Sequence, residues 1–167
     1  MGKPWYEIIT NTQIGVFDYI ENPPHLHKEI ELVCLLKGKM SVNCEGKVFP
    51  LSVGDFCLIM PNQAHYYTNN GDLSYLYLVT DTRRLNWYNT KFKGLKPNNP
   101  IIPNTNDSAK ELFTLALNEY ENSGNSTAFD EIISALLYQT AKQCNFNEQN
   151  LNTNKFSEIF NYINQRF

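Results

Sequence analysis

Up to about residue 80 the chain alternates apolar and polar positions in short runs broken by turn residues; beyond about residue 107 the apolar spacing lengthens to that of a helix. Residues 14–20, 40–44, 47–49, 56–60, 65–69 and 73–80 each read as a strand, rich in β-branched and aromatic side chains. The breaks between them are equally regular. Pro23-Pro24, Gly54-Asp55, Pro61-Asn62 and Asn70-Gly71 punctuate the runs, and Glu45-Gly46 has the composition of a two-residue hairpin turn. The run from about 27 to 37 is entered through Pro24-His25-Leu26-His27 and stopped by Gly38. Extended throughout, it places His25, His27, Glu31, Val33 and Leu35 on one face, because successive side chains of a strand alternate. Its other face, Ile30, Leu32, Cys34 and Leu36, is apolar as well and must also be covered. Hairpins at Gly38 and at Glu45-Gly46 predict an antiparallel meander, and strands at this spacing predict a small all-β barrel or double-sheet jelly roll.

The second half follows a different period. Residues 82–96 interleave basic and aromatic side chains without a clear pattern, and 97–106 read as an extended connection. Ser108-Ala109-Lys110-Glu111 has the spacing of a capping box, and Leu112, Leu115, Ala116 and Tyr120 predict a helix over 108–122, stopped by Ser123-Gly124. From Thr127 a longer stripe, Phe129, Ile132, Ile133, Leu136, Leu137, Thr140 and Cys144, predicts the most amphipathic helix, over about 127–144. These two helices are the natural cover for the outer wall of the barrel. The stripe of Phe129, Ile133, Leu136 and Leu137 is wide enough to serve a partner helix too, which predicts a homodimer through this helix. Residues 145–154 have the composition of a linker, and Phe156, Ile159, Phe160 and Ile163 predict a third helix running to Phe167. The expected organisation is a barrel over 1–100, a helical layer over 101–145, and over 146–167 a linker with the start of a further unit.

Composition narrows the class without changing this picture. The chain has 167 residues, 42% hydrophobic and 19% charged, enough for one compact domain with a real core. Its net charge of -3 offers no basic footprint for nucleic acid or anionic membranes. Arg83 and Arg84, beside Trp87 and Tyr88, read as a solvated basic turn. No apolar run spans a membrane and the N-terminus lacks a signal-peptide core, so a cytoplasmic location is expected. The four cysteines, Cys34, Cys44, Cys57 and Cys144, sit in apolar patterns with no C-x-x-C spacing and read as free thiols.

The candidate chemistry lies in the histidines. His25, His27, Glu31 and Gly38 have the spacing H-x-H-x3-E-x6-G, which resembles the first motif of the cupin superfamily. Downstream, Gly54, Met60, Asn62, His65 and Asn69 fall on the second, G-x5-P-x-G-x2-H-x3-N, with Met60 in place of the proline and Asn62 in place of the second glycine. Asn62 can adopt the left-handed conformation that glycine supplies, which would preserve the turn. The resemblance implies a cupin-like double-stranded β-helix followed by two to three helices, mainly β with C-terminal α. It also implies a divalent-metal site at His25, His27, Glu31 and His65, a donor set that suits zinc, iron, manganese or nickel. The same histidines can serve without metal, with His27 donating to Glu31 or to a polar ligand.

The segment 51–65, LSVGDFCLIMPNQAH, with the barrel and two helices around it, resembles the N-terminal effector-binding domain of AraC-type transcriptional regulators. The terminal residues 156–167 resemble the opening of that family's helix-turn-helix domain. The resemblance implies a sensing and dimerisation domain, not an enzyme, that requires no cofactor and reaches DNA only through a C-terminal domain absent from this chain. Trp5, Phe17, Tyr19, Tyr67, Tyr75 and Tyr77 supply aromatic faces and hydroxyls on its strands. The expected effector pocket therefore comprises His25, His27, Glu31, His65, Tyr67, Tyr77 and Tyr19, suited to a sugar or another small polar molecule. The rival reading is a stand-alone metal-dependent cupin enzyme of oxygenase, isomerase or decarboxylase type, for which the full ligand set speaks.

Overall fold

The computed structural model describes residues 5–20, 23–103 and 107–149, in which the alternating runs become two facing β-sheets. The strands in chain order are β1 (Trp5–Tyr6), β2 (Gln13–Phe17), β3 (His25–Leu26), β4 (Ile30–Lys37), β5 (Met40–Cys44) and β6 (Lys47–Leu51). They continue with β7 (Phe56–Ile59), β8 (His65–Asn69), β9 (Ser74–Thr80), β10 (Leu95–Pro97), β11 (Ile101–Ile102) and β12 (Phe146–Glu148). One sheet has the order β1-β3-β8-β5-β6 and the other β11-β7-β4-β9-β2, while β10 and β12 pair separately. Among the described residues every pairing but the parallel β1–β3 is antiparallel.

Two expectations about the run from 27 to 37 are corrected. The predicted single strand is two: β3 pairs with β8 in one sheet, bends at Lys28 and Glu29 carry the chain across, and β4 begins in the other sheet between β7 and β9. The predicted meander is also a crossing, because β5 returns to the first sheet instead of pairing with β4. Gly38 makes that crossing at φ +91°, where a Cβ would come within 2.1 Å of the Asp72 carbonyl oxygen. The true hairpin is β5–β6: Glu45 (φ 50°) and Gly46 (φ 84°) form its turn, closed by the Cys44–Lys47 pair.

Strand β4 is buried on both sides, which is why its sequence is almost continuously apolar. Val33 and Leu35 join Met40, Val42, Ile59 and Tyr67 in a core between the sheets. Ile30, Leu32 and Cys34 face outward into a second core with helices α2 (Ser108–Ser123) and α3 (Thr127–Ala141). The helical cover is therefore where the apolar outer face demands it. Leu36 escapes both cores and is partly exposed at the strand end.

The helices differ in detail from their pattern. The buried stripe of α2 is Ala109, Phe113 and Ala116, whereas Leu115 is half exposed. Its N-cap is Asp107, whose side chain makes no capping hydrogen bond, so Ser108 is already helical and does not stand at the first position of the predicted capping box. The working cap is at α3, where Ser126 Oγ accepts from Phe129 N at 3.0 Å and donates to Glu119 Oε1 of α2 at 2.7 Å. Phe129, Ile133, Leu136 and Leu137 are each wholly buried in the chain's own core. A second subunit at α3 would have to meet another face of the helix.

The unpatterned stretch holds a 3-10 turn at Thr82–Arg84 and a short helix, α1 (Asn86–Lys91). Exposed Arg83 is tied to Asp81 at 2.6 Å, as a solvated basic turn should be, and Arg84 reaches Asp130 of α3 at 2.5 Å. Phe146–Glu148, linker by composition, is strand β12, and Gln149 N donates to Gly94 O at 2.7 Å. The predicted third helix lies outside the described residues. All four cysteines are free, and burial pushes the thiols of Cys34 and Cys144 up to about 11 and that of Cys44 up to about 12. Among the described residues no helix is long and apolar enough to cross a membrane.

The two glycine turns give a paired test. Gly38→Ala, with both a left-handed backbone and a backbone clash, should cost more than about 2 kcal/mol in urea denaturation. Gly46→Ala, with positive φ but open space around it, should cost about 1 kcal/mol. Equal losses would mean that the Asp72 approach does not constrain the crossing.

Candidate metal centre

Four side chains, from three strands and the connection that follows β3, converge between the sheets. His25 on β3 lies directly opposite His65 on β8, with ring centroids 4.3 Å apart. His27 follows β3 just before the chain crosses, and Glu31 comes from the inward face of β4 in the opposite sheet. One donor atom from each of the four lies within 4.8 Å of all the others, and each residue is only 1–2% exposed. The cluster survives the break in the predicted strand because the two sheets face each other: crossing between them still leaves both ends pointing inward.

The turn of the second motif holds this arrangement in place. Asn62 is left-handed at φ 66°, as its position in the motif requires, and its N–H donates to His27 O at 2.7 Å. Gln63 Oε1 accepts from Met60 N at 2.8 Å, bracing the residue that stands where the motif has proline.

Each imidazole is oriented by a backbone carbonyl two residues away. His25 Nδ1 lies 2.9 Å from Pro23 O, His27 Nδ1 3.2 Å from Glu29 O, and His65 Nδ1 2.8 Å from Gln63 O. A carbonyl only accepts, so all three Nδ1 atoms carry a proton, and in its neutral form each ring turns an Nε2 lone pair toward the centre. There the lone pairs meet a carboxylate: His27 Nε2 is 3.2 Å from Glu31 Oε2 and His65 Nε2 3.6 Å from Oε1. Glu31 itself accepts from Tyr67 Oη at 2.5 Å and from Tyr77 Oη at 3.3 Å. Acceptors facing acceptors in a buried site call for a positive charge.

A proton meets that need only in part. Burial works against charging His27, but its hydrogen bond to Glu31 and the charges of Glu31 and Glu29 outweigh burial and raise its pKa. Burial would raise the Glu31 carboxyl, yet the charge of the neighbouring His65 and the hydrogen bond of His27 hold it well below the usual range. Burial, aided by the neighbouring His65, lowers His25 to about 4, so its lone pair stays open at neutral pH. His65 Nε2 is buried without a hydrogen-bond partner. One proton on His27 leaves His65 Nε2 unsatisfied, whereas a divalent cation would engage every member. The residues therefore fit the metal that their spacing implies, with three imidazoles and a carboxylate as ligands and the Nδ1–carbonyl bonds as the outer support.

Of the other expected pocket residues, Tyr67 and Tyr77 join the cluster through Glu31, and burial pushes both phenols well above their usual range. Tyr19 is exposed, and its carbonyl accepts from Tyr75 Oη at 3.0 Å. Two acidic residues went unread in the sequence. Glu7 Oε2 lies 3.4 Å from His25 Nε2, and the buried Glu29 sets its carboxylate 3.9 Å from His27 Nδ1. Neither belongs to a motif; Glu29 hides in the crossing and Glu7 in an exposed N-terminal arm.

Zinc or manganese added to chelator-stripped protein should raise the thermal midpoint, and Glu31→Gln, which keeps the shape but not the charge, should abolish the rise. The proton and the metal compete for His27 Nε2, whose pKa is raised above 6.5. Metal affinity measured by calorimetry should therefore hold at alkaline pH and fall, by about tenfold per pH unit, on acidification below the raised value. An affinity independent of pH from 8 to 6 would place the metal elsewhere.

The cupin domain family matches residues 19–80 of this chain. No curated protein matches it. Solved structures similar to it include an RmlC-like cupin from Shewanella frigidimarina NCIMB 400, 16% identical over 44% of this chain and 68% of that one, with a TM-score of 0.39. A cupin superfamily protein from Desulfitobacterium hafniense DCB-2 is 14% identical over 45% and 72%, with a TM-score of 0.40. A mutant of salicylate 1,2-dioxygenase from Pseudoaminobacter salicylatoxidans is 17% identical over 41% and 21%, with a TM-score of 0.38. The chain spans 58% of the length of a further match, from Salmonella typhimurium LT2. The family match begins before β3, ends with β9 and takes in His25, His27, Glu31 and His65 together.

Proposed function

We propose that this chain is the effector-sensing part of an AraC-type transcriptional regulator, with its ligand site at the His25, His27, Glu31 and His65 cluster and its output in the helical layer. The observation that carries this reading is the double role of β4. Glu31 faces the cluster, while Ile30 and Leu32 on either side of it pack outward in the core shared with Phe113, Phe129 and Ile133. A ligand that repositions Glu31 therefore acts on the strand against which the helices rest. Such coupling works only if the ligand binds one helix packing more tightly than the other.

Tyr67 and Tyr77 set the polarity of the ligand site by donating to both oxygens of Glu31, which keeps the carboxylate ionised and aimed at the histidines. Dimerisation through the helical layer remains part of the proposal, on a face other than that of the buried Phe129, Ile133, Leu136 and Leu137. The partly exposed α2 residue Leu115 is apolar surface in that layer.

A second reading, a metal-dependent cupin enzyme, is favoured by one specific observation: the ligand set is complete and His65 Nε2 is buried without a partner. A divalent ion bound there would supply Lewis-acid polarisation or an activated water. This chain's own residues would hold and orient it.

The experiment that separates the two is footprinting of the full gene product on its own upstream DNA. The regulator reading expects protection of a defined operator, with a pattern that changes when Glu31→Gln alters the sensor site. No sequence-specific protection by the full gene product would sink the regulator reading and leave the enzyme.

A further inference from the structure

One more charged group reaches the cluster, from outside the cupin motifs. Glu7 Oε2 stands 3.4 Å from His25 Nε2, the ring nitrogen that faces the centre; the other nitrogen is engaged with Pro23 O at 2.9 Å. The Glu7 carboxylate thus reaches the cluster at its His25 end, just outside the four donors that lie within 4.8 Å of one another. We infer that Glu7 is the chain's own anion at a metal position left open by the four buried ligands, and that a small carboxylate ligand binds by displacing it. This rests on the reading of the cluster as a metal centre.

Charge is the first argument. A divalent ion with three neutral imidazoles and the Glu31 carboxylate leaves one positive charge among residues only 1–2% exposed, and an uncompensated buried charge is costly. Glu7 supplies the missing negative charge.

Accessibility is the second. The Glu7 side chain is 34% exposed while that of His25 is 2% exposed, so Glu7 is the member of the pair with a route to solvent. Its attachment is also slight. The arm is held on β3 by the two-residue edge strand β1, through Trp5 N to Pro24 O at 3.1 Å and Glu7 N to Leu26 O at 2.9 Å. A short edge pairing opens at little cost compared with the strands that carry the four ligands. What replaces a carboxylate at this position must bring an oxygen donor and a negative charge. The half-exposed Trp5 ring, 6.4 Å from that of His25, offers an apolar face to the body of such a ligand.

The test uses the chain loaded with Co2+, whose visible absorption reports its coordination, with acetate as the probe. Glu7→Ala should change the Co2+ spectrum, and acetate should restore the wild-type band. Wild type, which must first give up Glu7, should need at least about tenfold more acetate to respond. Glu7→Gln, similar in size but uncharged, should be as acetate-sensitive as Glu7→Ala. If Glu7→Ala binds Co2+ weakly and acetate recovers the binding, the inference also stands. It is overturned by a Glu7→Ala spectrum and acetate affinity equal to wild type, by a Co2+ loss that acetate does not recover, or by a Glu7→Gln variant as resistant as wild type. Failure of wild type to bind Co2+ overturns the metal reading and this inference together, whereas Co2+ binding that ignores Glu7 overturns this inference alone.

Discussion

A carboxylate sealed between two β-sheets, facing three imidazole lone pairs, is the constraint that the rest of this structure serves. Glu31 is 1% exposed and sits on a strand whose every other inward residue is apolar. In such surroundings an ionised group persists only with charge and hydrogen bonds around it. Two phenols donate to it and the histidines bring positive charge or a cation. The two-sheet fold is what allows this, because side chains from β3, β4, β8 and β9 can surround one group only when their strands come from opposing walls.

The same strand ties the polar centre to the helical layer. Alternation along β4 assigns one face to the cluster and the inter-sheet core, and the other to α2 and α3. The two environments are therefore separated by the thickness of one strand. A strand buried on both faces is stiff in the sense that moving it disturbs two close-packed cores at once, so a change at Glu31 has packed neighbours on which to act.

Much of this was legible in the sequence, for reasons that differ between elements. The strands could be read because alternation and turn residues agree, and Glu45-Gly46 could be assigned to a hairpin because its two positive-φ positions leave few other choices. The four cluster residues were legible from spacing, although the single strand assumed for three of them breaks at Lys28 and Glu29. The crossing at Gly38 was not legible, since it depends on close approach to Asp72, a residue remote in sequence. Periodicity marked the apolar stripe of α3 but could not say what covers it; the chain's own sheet does. Glu7 was invisible for the opposite reason. A lone glutamate between aromatic and aliphatic residues carries no pattern, and only the parallel pairing of β1 with β3 brings it to His25.

The origin of the histidine orientation has a consequence for how such a site can diverge. All three Nδ1 partners are main-chain carbonyls, those of Pro23, Glu29 and Gln63, each two positions from its ring. A carbonyl is present whatever side chain the residue bears. Point substitutions at these three positions can therefore reshape the surroundings of the centre, in charge, bulk or access, without removing the groups that select the tautomer. The inner geometry is inherited with the backbone path, and the chemistry around it is left open to evolutionary variation.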